Sequence, residues 1–143
     1  MKKVIEYLNG KQTELRDKII SFDTDIMSCK TSIKKYEEIL KGIEEKTSLS
    51  SNFFKASKSF YDDQEKTEIQ KHEISQELEN LKEQLKNIEL ESEHIKEENQ
   101  YISSLIDEIN TVKNKVENCK RNVRSDSKRC LHELEEICKL FGN

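Results

Sequence analysis

A heptad pattern runs without a slip from Ile5 to Thr47, and it constrains the fold more than any other feature of the chain. One set of positions is Ile5, Gln12, Ile19, Ile26, Ile33, Leu40 and Thr47; the other is Leu8, Leu15, Phe22, Cys29, Tyr36 and Ile43. All are apolar except Gln12 and Thr47. Spacings that alternate three and four put them on one stripe of an α-helix. A 3.5-residue repeat held this long keeps that stripe on a partner as two helices supercoil. At a rise of ~1.5 Å per residue the segment is a rod of about 65 Å. Such a rod cannot bury its own stripe, so the sequence must supply a partner helix.

Composition agrees with long helices. Charged residues make up 38% of the 143 and hydrophobic residues 33%, too few for a thick globular core. There is no Pro and only three Gly, so little interrupts a helix. Charge this high would suit a disordered chain, but the apolar residues are periodic, which argues against disorder.

The partner follows in sequence. Ile74, Leu78, Leu81, Leu85, Ile88, Ser92, Ile95, Asn99 and Ile102 form a second heptad stripe, with Ser92 and Asn99 as polar positions that fix register at some cost in stability. Folding the chain about residues 54 and 55 sets Thr47 opposite Asp62 and Ile5 opposite Ser104. The sequence therefore predicts an all-α protein. Residues 1–104 form an antiparallel coiled-coil hairpin, its first helix from near Lys3 to near Lys46, its second from near Asp63, and its tip at 48–62. A longer parallel assembly of extended chains is the alternative. The tip is rich in Ser and Asn, which favour turns, and Asp62 followed by Glu65 resembles an N-terminal cap. It also concentrates Phe53, Phe54, Phe60 and Tyr61. These aromatics either cap the hairpin by packing on each other or form a docking surface for a protein partner.

Beyond residue 104 the heptad steps by three residues, to Leu105, Ile109, Val112, Val116, Cys119 and Val123. The stripe broadens around Ile106, which suits a bundle. The stretch from Arg124 to Ser127 offers a turn, with Asp126 or Ser127 starting a last helix through Cys130, Leu134, Ile137 and Phe141; one continuous helix is the alternative. Residues 105–143 lack an internal partner in this reading. They are expected to form a dimeric helix bundle through Ile102, Leu105, Ile109, Val112, Val116, Cys119 and Val123.

Net charge is −4 but uneven. Asp62–Gln100 holds thirteen acidic and five basic residues, a net of −8; Lys113–Arg129 holds seven basic and two acidic, a net of +5. The basic face of Lys120, Arg121, Arg124, Lys128 and Arg129 would suit an acidic protein surface or nucleic acid, or be a solvated helix face. No aromatics interleave it, which counts against single-stranded nucleic acid. Of the four cysteines, Cys29, Cys119 and Cys130 read as small hydrophobes on the stripes, and with Cys138 they form no C-x-x-C pair. No signal segment or membrane span is evident, so a cytoplasmic location is expected. No phosphate loop or metal-ligand spacing stands out, and His72, His94 and His132 fall on outer faces. No catalytic residue, metal or cofactor is expected, and no small-molecule partner.

One family shows the same order of parts. Glu117, Cys119, Arg121, Val123, Asp126, Arg129, Glu133 and Leu134 follow the pattern E-x-C-x-K-x-I-x-x-D-x-x-R-x-x-x-E-L of the second dimerisation helix in DegS-type bacterial sensor histidine kinases. The tip from Ser50 to Ile69 is similar in character to the tip of their coiled-coil sensor. The resemblance implies a homodimer and a place in two-component signalling. It also implies a loss of chemistry. Aligned on Cys119, Ile102, Ser103 and Asp107 stand where the family has the phosphoacceptor His, its Asp and a Gln. His132, preceded by Leu131 and followed by Glu133, has Ile137 where that Gln would be. No ATP-binding domain is found up to Asn143. The implied protein is a degenerate sensor and dimerisation module. It would act as an adaptor or antagonist toward a related histidine kinase or response regulator. A structural spacer or assembly factor is the alternative, with a nucleic-acid-binding coiled coil a third.

Overall fold

A computed structural model describes residues 1–53, 58–123 and 126–140, with side chains described for all of these except 49–53 and 58–62. They form three helices, α1 (Lys2–Phe53), α2 (Lys58–Asn122) and α3 (Ser127–Leu140), and no described residue lies in a strand. The helices run further into the expected tip than its Ser and Asn content suggests. Ahead of the tip the Thr47 hydroxyl donates to the Ile43 carbonyl at 2.8 Å. Thr13, Thr24, Thr31, Thr67 and Thr111 do the same, at 2.7–3.0 Å. A hydroxyl satisfied four residues back no longer competes for turn geometry. α1 passes Lys46 and ends at Phe53, α2 begins at Lys58 instead of Asp63, and Asp62 lies inside α2 instead of capping it.

The chain divides into two compact units, residues 19–94 and residues 1–18 with 95–143. In the first, every expected stripe position from Ile19 to Thr47 and from Ile74 to Ser92 is buried or half-buried, with Cys29, Leu78 and Ser92 the deepest. The Cys29 thiol donates to the Leu81 carbonyl at 3.3 Å. Outside the stripe, ion pairs join Lys30 to Glu89 at 2.9 Å, Glu37 to Lys82 at 3.7 Å and Glu44 to Lys71 at 3.3 Å. Partner numbers fall along α2 as they rise along α1, the contact order of a helical hairpin. The sequence register sets Cys29 opposite residue 80, next to the observed Leu81. It sets Lys30, Glu37 and Glu44 opposite residues 79, 72 and 65, whereas their partners are Glu89, Lys82 and Lys71, all further along α2 than expected. Long flanking side chains reach along the helix axis, so they report register less sharply than the stripe does.

In the second unit Leu15 and Ile102 are buried, Ile5, Leu8, Ile95 and Asn99 are half-buried, and the Gln12 amide donates to the Ser103 hydroxyl. Here the three-residue step is visible as burial. Ile102, Leu105 and Ile106 are covered in turn, and Ile109, Val112, Val116 and Cys119 then resume the alternation. The chain breaks after Asn122, and α3 packs back on α2. Cys130 meets Cys119 and Glu136 meets Lys115. The expectation that this stripe lacks an internal partner is thereby corrected. α3 is that partner, and Cys119, Cys130 and Ile137 are 6–8% exposed. α2 ends at Asn122 and α3 starts at Ser127, so one continuous helix does not hold; Arg124 and Ser125 of the expected turn, and Phe141, lie outside the described residues.

Candidate interaction site

The corner between α2 and α3 gathers most of the chemistry of the chain. It is built by backbone and cap. The Asp126 amide donates to the Asn122 carbonyl at 2.9 Å. The Asp126 carboxylate then accepts from the Arg129 amide at 3.2 Å, an N-terminal cap on α3. These bonds fix where α3 departs and which of its faces turns inward.

The inner face carries Cys130 and Ile137, with Glu133 and Glu136 half-buried beside them. Glu136 Oε2 accepts from Lys115 Nζ at 3.1 Å. That hydrogen bond, and next the Lys115 charge, hold the Glu136 carboxyl below the usual carboxylate range, with smaller help from His132 and Lys139 against the opposing effect of burial. Glu133 Oε1 lies 3.7 Å from Arg129 Nε, while its Oε2 is buried without a hydrogen-bond partner. Cys119 and Cys130 are joined as a disulfide with their Cα atoms 5.0 Å apart.

The outer face of α3 is apolar and uncovered. Leu131 is 61% exposed, Leu134 45% and Leu140 54%, and Cys138 is an exposed free thiol. Leu134 was expected on the inner stripe. Glu133 is half-buried in that place and Leu134 is exposed.

The residues singled out in the sequence fall as follows. Of the expected dimerisation set, Ile102 and Cys119 are buried within the chain. Leu105, Ile109, Val112 and Val116 are half-buried, and Val123 is 57% exposed at the end of α2. Lys120, Arg121, Lys128 and Arg129 are exposed, but Lys120 pairs with Glu117 at 3.6 Å and Arg129 with Glu133, which dilutes the basic face. Arg124 and Phe54 lie outside the described residues, as do the side chains of Phe53, Phe60 and Tyr61. His72, His94 and His132 are exposed. The Cys119–Cys130 pair and the Lys115–Glu136 bond escaped the sequence reading. An interval of eleven residues between cysteines matches no recognised spacing, and only a helix folding back at residue 126 brings them together.

Among the described residues no group of three or more His, Cys, Asp or Glu is placed to share a metal ion, and no helix is long and apolar enough to cross a membrane. No family model, curated protein or solved structure matches the chain.

Proposed function

We propose that the protein is a non-catalytic helical interaction module, an antiparallel coiled-coil hairpin that self-associates through its C-terminal part. The observation that carries the reading is the outer face of α3. Leu131, Leu134 and Cys138 stand three and four residues apart, the spacing of a helix–helix seam, and all are exposed. A second copy presents the same stripe, so a two-fold contact is self-complementary. This moves the proposed dimer contact from the α2 stripe, which α3 covers, to α3 itself. In keeping with the resemblance to DegS-type kinases, the dimer acts in the cytoplasm as an adaptor or antagonist of a related histidine kinase or its response regulator.

Sedimentation equilibrium of the full chain tests the association. A dimer at micromolar concentration is expected, with Leu131→Asp/Leu134→Asp giving a monomer of unchanged helix content. A wild-type monomer at tens of micromolar overturns it. Capture of a histidine kinase or receiver domain from the native cell separates the adaptor from a plain spacer. Incubation with labelled ATP, alone and with such a kinase, is expected to leave no acid-labile label on His132.

A further inference from the structure

The geometry points to a redox-operated clasp, in which Cys119 and Cys130 interconvert between dithiol and disulfide and thereby tie or release α3 from α2. Three observations meet here. The pair joins two elements that touch only because the chain turns at residue 126, so the bond controls a long-range contact. The Cα separation of 5.0 Å lies within the range a disulfide needs, so the bond suits the two helices as they are packed. The same placement also suits the reduced form. Cys119 Sγ lies 3.7 Å from the Cys130 carbonyl oxygen and Cys130 Sγ lies 3.8 Å from the Cys119 carbonyl oxygen, so each thiol has an acceptor. A site that fits both states is one that can cycle.

The remaining cysteines differ. Cys29 is buried with its own acceptor on Leu81, and Cys138 is exposed on the outer face. Neither is placed to compete for the pair. The shielding of the pair, 6% and 7% exposed, makes exchange depend on opening of α3. A helix of 14 residues is marginal alone, so it opens readily once untied.

Oxidation is thiol–disulfide exchange with a low-molecular-weight disulfide such as glutathione disulfide. One thiolate attacks it and releases a glutathione thiolate, leaving a mixed disulfide on the protein. The second thiolate then displaces the other glutathione and closes the Cys119–Cys130 bond. Both protons lost by the protein end on two glutathione thiols, and the two electrons go with them. Reduction by a dithiol runs the same steps in reverse. The clasp operates whether or not a partner covers the outer face of α3.

The test uses the full chain equilibrated at graded ratios of glutathione to its disulfide, quenched by alkylation, weighed, and followed by amide exchange. In the oxidising buffers the expected product at residues 119 and 130 is an internal disulfide, with any retained glutathione confined to the exposed Cys138 and absent from Cys138→Ser. Exchange of residues 127–140 should then be at least about ten-fold slower than in the reducing buffers. Cys138→Ser should keep this dependence, and Cys119→Ser/Cys130→Ser should lose it. Four results overturn the proposal: a Cys119/Cys130 dithiol at every ratio, a stable glutathione adduct or intermolecular cross-link at Cys119 or Cys130 instead of the internal bond, equal exchange in both states, or loss of the response in Cys138→Ser.

Discussion

Ser92 is the most deeply buried polar side chain, 2% exposed, and its hydroxyl has no hydrogen-bond partner. A buried hydroxyl without an acceptor is a net cost. Ser92→Ala is therefore expected to stabilise the protein by about 1 kcal/mol, since Ala also has the higher helix propensity. A urea midpoint at or below the parent's would show that Ser92 is satisfied. Asn99, one heptad on, has a buried Oδ1 in the same condition. Two such positions on one stripe of α2 trade stability for a defined register, which apolar residues at both would relax. The glycines carry the opposite signature. A Cβ added at Gly10 or Gly42 meets nothing within 4 Å. Gly10→Ala and Gly42→Ala should each add about 0.5–1 kcal/mol by reducing the freedom of the unfolded chain. No gain in thermal melts would mean the helix has already frayed there.

At the scale of the element, α3 is held by one cap, one charged hydrogen bond, one cysteine pair and one buried isoleucine. Asp126→Ala removes the cap and should cost about 1 kcal/mol, confined to residues 127–140. Amide exchange resolved by segment checks this, and equal loss across α1 and α2 would contradict it. The Lys115–Glu136 contact adds a pH dependence whose sign is fixed. The folded carboxyl titrates below its unfolded value, so its contribution is full above the ordinary Glu range and is lost as pH falls through the lowered folded pKa. Solvent screens the pair, so the effect is modest, and Glu136→Gln should flatten it. The stripes of α1 and α2 were legible in advance because a heptad repeats its message every two turns, and on α1 eleven apolar positions outvote Gln12 and Thr47. Helix ends were less legible, because Ser and Asn in the tip favour a turn by local preference, whereas α1 runs on to Phe53 and α2 starts at Lys58. The return of α3 was legible only in part. Asp126 signalled a helix start, but nothing in Leu105–Val123 says whether its cover comes from the same chain or another. Glu133 and Leu134 each stand three or four residues from both Cys130 and Ile137, so spacing alone could not say which of them faces inward.

For the whole molecule, the notable quantity is how little is buried. Among the described residues only Leu15, Cys29, Leu78, Ile102, Cys119, Cys130 and Ile137 form the apolar core. A core this thin makes each member count, so Leu15→Ala or Leu78→Ala should cost about 2–4 kcal/mol. It also makes folding sensitive to anything that binds the folded form. If the chain dimerises as proposed, its Tm rises with protein concentration, and a Tm constant over a hundredfold range argues for a monomer. The division into two units bears on synthesis as well. Residues 1–18 fold with residues 95–143, and the Gln12–Ser103 bond spans 91 positions of sequence. On a ribosome adding ~5–20 residues per second, the unit of residues 19–94 can close while Leu8 and Leu15 still wait about a second for theirs. In that interval the first helix presents an open apolar stripe to every other nascent copy on the same message. Newly made chains thus have an early chance to exchange N-terminal segments before each finds its own.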